Sequence, residues 1–156
     1  MRGLRSSRRR NIRGYPSAAV TEHADCIFCK VIAGDIPSEM VDADERTLAV
    51  MDINPATKGH VVVITREHYE NLFEVPDDDL LAVMKMARRV AERMKETIEP
   101  GGFNILNNIG RVAWQSIFHF HLHVIPRYED DPLQLPWMPA PGDPASLAEI
   151  AEALRR

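Results

Sequence analysis

Between His119 and His123 the chain reads HFHLH, which places three of its six histidines at alternate positions. Near neutral pH an imidazole can act as nucleophile, proton carrier or metal ligand, so three rings spaced two apart call for a physical reason. In a β-strand alternate side chains share a face. His119, His121 and His123 would then project from one side and Phe118, Phe120, Leu122 and Val124 from the other. Desolvating three titratable rings in an apolar core is costly. Two kinds of chemistry fit the polar face: a metal site, or a catalytic imidazole whose neighbours fix its tautomer.

Cys26 and Cys29 form a Cys-x-x-Cys pair and are the chain's two cysteines. A redox pair, a disulfide and half of a metal site are all compatible with that spacing. A redox motif would call for a thioredoxin-like βαβ context, which the sequence lacks, and zinc would need two further ligands. His60 lies in KGHVVV, His68 in REHYENL, and His23 three residues before Cys26. Asp52 ends a strand-like run just before a turn.

The elements that must position these groups follow from periodicity. CIFCKVIAGD (26–35) reads as a short helix stopped by Gly34. SEMVDAD, TLAVMDI and HVVVITRE read as three strands separated by turn formers. From Asp77 to Ile98, Leu80, Val83, Met84, Ala87, Val90, Ala91, Met94 and Ile98 recur at helical steps, giving one long amphipathic helix. Three aspartates suit its positive end, and Pro100-Gly101-Gly102 follows its end. FNILNN (103–108) and the histidine run supply two more strands. The order predicts an α+β domain with an antiparallel five-stranded sheet, one long helix and one short one. Beyond Arg127 a proline-rich stretch predicts an irregular tail with a short helix at Ser146–Leu154.

A chain of 156 residues with 45% hydrophobic content accommodates one core and one domain. No apolar run is long enough to cross a bilayer, so a soluble cytoplasmic protein without a membrane partner is expected. The formal net charge of -4 is unevenly placed: residues 1–21 carry six arginines and no acid, leaving an acidic body. Residues 1–22 are expected to be a disordered basic tail. A plain extension, an Arg- and Ser-rich transit segment and a nucleic-acid-binding arm compete as readings of it, in that order.

The segments CIFCKVIAGDIPS, LAVMDINPATKGHVVVI, REHYENL, NILNN and QSIFHFHLHVIPRY, covering about residues 25–128, resemble in order and spacing the histidine triad (HIT) family, in particular its nucleoside-phosphoramidase-like (Hint) branch in bacterial form. The resemblance implies a HIT domain over 23–130 followed by a proline-rich C-terminal tail over 131–156. It implies a homodimer whose sheets join, and hydrolysis or transfer of purine nucleoside monophosphates such as AMP or GMP from their conjugates. Within that resemblance His121 is the nucleophile that forms a nucleotidyl-histidine, His123 stabilises phosphate or protonates the leaving group, and His60 supports them. Ile27, Phe28, Val31, Val50 and Ile53 match base-pocket positions, Asp52 the ribose acid, and Asn108, Gln115 and Ser116 the phosphate contacts. Family members that keep both cysteines hold a structural zinc, here by Cys26, Cys29, His68 and His119. Cleavage of dinucleoside polyphosphates, or a zinc-stabilised nucleotide-binding module with little catalysis, are the alternatives.

One residue departs from the pattern. Relatives usually have Ala-Gly-Gln or Gly-Gly-Gln before the triad, whereas GRVAWQSIF puts Trp114 where glycine is expected. A Cβ beside the phosphates can be costly, so the expectation is a slow enzyme whose indole narrows the pocket or pushes out the loop that carries Gln115 and Ser116, with an aromatic wall for an unusual substrate as the further reading.

Overall fold

The computed structural model of the protein describes residues 23–134 and 138–155. The expected basic tail at 1–22 lies outside the described residues. The elements run α1 (Ile27–Ala33), β1 (Met40–Ala43), β2 (Thr47–Met51), β3 (Val61–Thr65), α2 (Asp77–Thr97), β4 (Gly102–Leu106), a 3-10 turn (Arg111–Ala113), β5 (His121–Arg127) and α3 (Pro144–Leu154). The five strands form one antiparallel sheet in the order β1-β2-β3-β5-β4. The α+β class and the sheet agree with the sequence reading. The strands are shorter than their apolar runs suggested, because the ends of those runs enter turns.

Strand alternation divides the core in two. Ala49, Val61, Val63, Leu122 and Val124 face α2 and pack with Val83, Met86, Ala87, Val90 and Met94. Leu48, Val50, Val62 and Ile64 face the other way and pack with Phe28 and Val31 of α1. Because Val62 pairs with His123 and Ile64 with His121, these two histidines emerge on the α1 side of the sheet. The sheet thus supports the chemistry on one face while α2 buttresses the other. Phe120 is fully buried in the α2-side cluster, where truncation to alanine would cost about 3–5 kcal/mol.

Two features of the histidine run differ from a simple strand. β5 begins at His121, and residues 117–119 form a bend. Phe120, ahead of the strand, is anchored from outside it, its N–H donating to the Tyr69 carbonyl (2.7 Å) and its carbonyl accepting from Thr65 N–H (3.4 Å). The alternation therefore does not extend to Phe118. That ring is half-buried beneath the Arg111 guanidinium, 4.8 Å from its centroid, and takes no place in the α2 core.

In α2 the aspartates do more than favour the helix dipole. Asp79 is buried, accepts from the Tyr69 hydroxyl (2.6 Å) and pairs with Arg46, so the helix start is tied to the segment leaving β3 and to the β1–β2 turn. Burial together with that carboxylate pushes the Tyr69 hydroxyl up to about 12.

Candidate active site and metal centre

The first group of polar side chains lies where α1, the segment after β3 and the start of β5 converge. Cys26 caps α1 and accepts from the Cys29 N–H (3.5 Å). Gly34, at φ 84°, ends this short helix in the left-handed region, which glycine adopts without a Cβ penalty. Cys26 Sγ lies 3.4 Å from His119 Nδ1, and Cys29 Sγ lies 3.4 Å from His68 Nδ1 and 3.5 Å from His119 Nδ1. The four ligand atoms all fall within 4.8 Å of one another. A tetrahedral zinc with ordinary Zn–S and Zn–N bonds requires S···N edges of about 3.5 Å, so the side chains fit that ion.

The hydrogen bonds of His119 fit it as well. Its Nε2 lies 2.7 Å from the Thr65 carbonyl oxygen, which can only accept. The ring therefore carries its proton on Nε2 and turns the Nδ1 lone pair toward the sulfurs, as a metal-ligating imidazole does. Burial holds His119 down to about 4, so it stays neutral. Burial, with the neighbouring Cys26, pushes the Cys29 thiol up to about 12. A bound cation would reverse that preference by stabilising thiolate. His23, a conceivable competitor from its position in sequence, stacks on His68 instead, with ring centroids 3.6 Å apart and planes inclined by 13°.

The second group lies further along the same face. His121 Nδ1 is 2.7 Å from the His119 carbonyl oxygen, so its proton is fixed on Nδ1 and Nε2 is left bare. Its ring packs edge-on against Phe28, 5.0 Å between centroids. The tautomers of His60 and His123 follow from a relay. Ala56 N–H donates to His60 Nδ1 (3.1 Å), which places the His60 proton on Nε2. His60 Nε2 then donates to His123 Nδ1 (2.9 Å), which places the His123 proton on Nε2. The Asp52 carboxylate closes the cluster, 3.5 Å from His60 Nε2 and 3.9 Å from His123 Nδ1. Burial lowers His60 and His121 from their ordinary value, and burial with the neighbouring His121 and His60 brings His123 to about 4. All three rings are thus neutral at pH 7. One offers a lone pair, and another on the same strand offers an N–H.

His60 owes its position to the turn before β3. Gly59 adopts φ +94°, and a Cβ there would meet the Ile98 side chain at 2.7 Å. Thr57 Oγ1 donates to the Pro126 carbonyl (2.6 Å) and the Tyr128 hydroxyl to the Lys58 carbonyl (2.9 Å), binding the turn to the end of β5.

The remaining residues singled out from sequence are placed as follows. Phe28, Val31 and Val50 are buried in the α1-side core, whereas Ile27 is exposed (39%) and Ile53 is 81% exposed. Gln115 is buried with its amide committed to backbone groups of its own loop and of the segment after β3: Oε1 accepts from Gly110 N–H (2.7 Å), and Nε2 donates to the carbonyls of Glu70 (2.7 Å) and Ile117 (3.3 Å). It braces the loop in this structure, whereas Ser116 is exposed and lines a cleft with Cys26, Ile27 and His68. Asn108 follows β4 and is half-buried. Its neighbour Asn107, which sequence reasoning passed over, donates from Nδ2 to the His121 carbonyl (2.9 Å) and keeps a buried Oδ1 without a hydrogen-bond partner among the described residues. The doubled asparagine after β4 was the only available signal, and it could not say which of the two turns inward. Trp114 ends the 3-10 turn at φ 67°, with its indole 77% exposed.

Comparison with known proteins agrees with this arrangement. The HIT domain profile matches residues 33–130. An uncharacterized HIT-like protein of Methanocaldococcus jannaschii is 49% identical over 106 residues, 68% of this chain and 81% of the relative. Adenosine 5'-monophosphoramidase HNT1 of Candida albicans is 33% identical over 141 residues, 87% of this chain and 93% of the relative. Among solved structures, a zinc-bound histidine triad family protein from Mycobacterium smegmatis superposes with a TM-score of 0.68 at 33% identity, covering 83% of this chain and 97% of that one. With its profile match spanning most of the chain and relatives of 33–49% identity aligned over more than two thirds of it, the protein belongs to the HIT family.

Proposed function

We propose that the protein is a hydrolase of purine nucleoside monophosphate conjugates, phosphoramidates of AMP or GMP in the first place, acting through a nucleotidyl-histidine at His121. The observation that carries this reading is the pair of opposed tautomers on one strand: His121 with a bare Nε2 and His123 with an Nε2–H. The His121 lone pair would form the N–P bond as the bond from phosphorus to the leaving amine breaks. The His123 N–H would hydrogen-bond the leaving group or a non-bridging oxygen as charge develops there. Water would then cleave the phosphoramidate and return His121 to its starting state. Asp52 would accept from ribose hydroxyls, and Ile27, Phe28 and Val50 would form an apolar wall for the base. The relative named a monophosphoramidase supports the substrate class.

Cys26, Cys29, His68 and His119 would hold a structural zinc. Four protein ligands close the coordination sphere, so the metal's contribution is to stability and position. We infer a homodimer from β4, an edge strand flanked by an apolar groove of about 530 Å³. Leu81, Met84, Phe103 and Ile105 line that groove, and an uncovered edge of this kind invites pairing with a second copy. The cytoplasm is the proposed location; among the described residues no helix is long and apolar enough to cross a membrane.

The decisive experiment is intact-mass analysis after rapid neutral quench with AMP-lysine, where a nucleotidyl adduct on wild type but not on His121→Asn is the expected result. Diadenosine tetraphosphate run in parallel separates the polyphosphatase alternative. Absence of both adduct and turnover would leave a nucleotide-binding module and reject the enzyme reading.

A further inference from the structure

The two sulfurs of the metal cluster are differently exposed. Cys29, within α1, is buried, whereas Cys26 is half-exposed and lines the cleft of about 490 Å³ that also reaches His68 and Ser116. Their Sγ atoms lie within 4.8 Å of each other, so a disulfide of about 2 Å requires them to close by at most ~3 Å. The chain has no other cysteine to compete. His119, which faces both sulfurs through Nδ1, also supplies the backbone carbonyl that holds the His121 proton. The sulfurs are thus one residue away from the group that sets the catalytic tautomer.

We propose that Cys26 is an oxidation site for peroxides, and that its oxidation converts the Cys26–Cys29 pair to a disulfide, expels the zinc and loosens the His119–His121 hydrogen bond; this rests on the zinc reading above. The Cys26 thiolate attacks one peroxide oxygen, the O–O bond breaks, and the departing hydroxide takes a proton to leave as water. The Cys29 thiolate then attacks the Cys26 sulfur, forming the S–S bond and displacing hydroxide, which leaves as a second water. Two thiolates lose one electron each and the peroxide gains both. Only His68 and His119 remain as ligands, two of the four that a closed zinc site needs. A lone Cys26 would stop at sulfenic acid or be oxidised further; Cys29 beside it makes the event reversible.

The test uses the zinc-loaded full chain treated with hydrogen peroxide, read by a chromogenic zinc chelator, intact mass and peptide mapping. The expected result is release of about one zinc per chain, in step with loss of about two hydrogen masses in the linked peptide that carries both Cys26 and Cys29. A thiol reductant with added zinc should restore both. In the same samples turnover of AMP-lysine should fall and return with the metal. Cys26→His, which keeps four ligands but removes the partner thiol, should retain zinc under the same treatment. Zinc retained by the wild type at excess peroxide, or lost without the linked peptide, would overturn the proposal while leaving the hydrolase reading intact. A chain that takes up no zinc overturns the metal reading and this proposal with it, and still leaves the His121 adduct experiment to judge the hydrolase.

Discussion

A hydrogen bond of 2.7 Å joins His121 Nδ1 to the backbone carbonyl of His119. His119 therefore has two duties: its side chain faces the cysteines and its main chain sets the tautomer of the ring two residues later. Spacing the histidines two apart makes this possible, because it keeps both rings on the α1 side of the sheet, each edge-on to Phe28.

The first prediction separates the two strand histidines. His121→Asn removes the bare Nε2 and should lower turnover of AMP-lysine on the order of 10³-fold or more, while the nucleotide still binds. His123→Gln should cost less, about 10- to 100-fold, since an amide N–H can still donate from that position. Single-turnover kinetics with both variants decide the order. Equal losses would mean that the rings act as one unit.

Metal content gives the second. Purified protein should carry about one zinc per chain, and Cys29→Ser should lose it with a fall in melting temperature, because the free energy of binding a structural zinc adds directly to folding. Atomic absorption alongside a thermal melt is sufficient. A Cys29→Ser protein with unchanged metal and melting temperature would refute the four-ligand set.

A third concerns pH. His123 ordinarily titrates at 6.5 and is brought to about 4 by burial among His121 and His60, with Asp52 opposing. Between those values the unfolded chain binds more protons at this position than the folded one. The stabilisation is therefore complete above about pH 6.5 and is lost progressively as pH falls toward 4. Denaturant unfolding measured from pH 7 to pH 4 should show stability declining across this window. His123→Gln should reduce the slope by up to ~1.4 kcal/mol per pH unit. An unchanged slope would show that His123 does not keep its neutral form.

Much of this could be read from the chain. Helical spacing from Leu80 to Met94 and alternation in β2 and β3 are strong periodic signals, and they located α2 and the sheet. The four residues of the candidate metal site and the trio Asp52, His60 and His123 are brought together by the fold as groups. What stayed hidden depends on local geometry that periodicity does not carry. The bend at 117–119 removes Phe118 from the strand pattern. The inward turn of Asp79 depends on Tyr69 and Arg46, which are distant in sequence. The commitment of the Gln115 amide to its loop depends on the Glu70 carbonyl, 45 residues away. Residue type identified Gln115 as a donor, but could not show that its hydrogens are already in use.

The last prediction concerns Trp114. Its φ of 67° lies in the left-handed region that a glycine enters freely; for a residue with a Cβ it costs about 1–2 kcal/mol. The sequence suggested that the indole would fill the pocket or displace the Gln115 segment. In the structure the backbone keeps the glycine-like turn, Gln115 stays buried with its three hydrogen bonds, and the indole projects outward, 77% exposed. With the loop in place, the indole does not displace the residues proposed to surround a small conjugate. Trp114→Gly should therefore change kcat/KM for AMP-lysine by less than about threefold, which is under ~1 kcal/mol of barrier. Its stability should stay within ~1 kcal/mol of wild type, because relief of the strained φ is offset by glycine's greater freedom in the unfolded chain. An aromatic-amine conjugate of AMP, whose leaving group is large and flat enough to stack on an indole, should lose more. Measuring both substrates with both proteins discriminates the accounts. A rise of tenfold or more on AMP-lysine would show that the indole obstructs the site after all, whereas a loss confined to the aromatic conjugate would make Trp114 a platform for the leaving group.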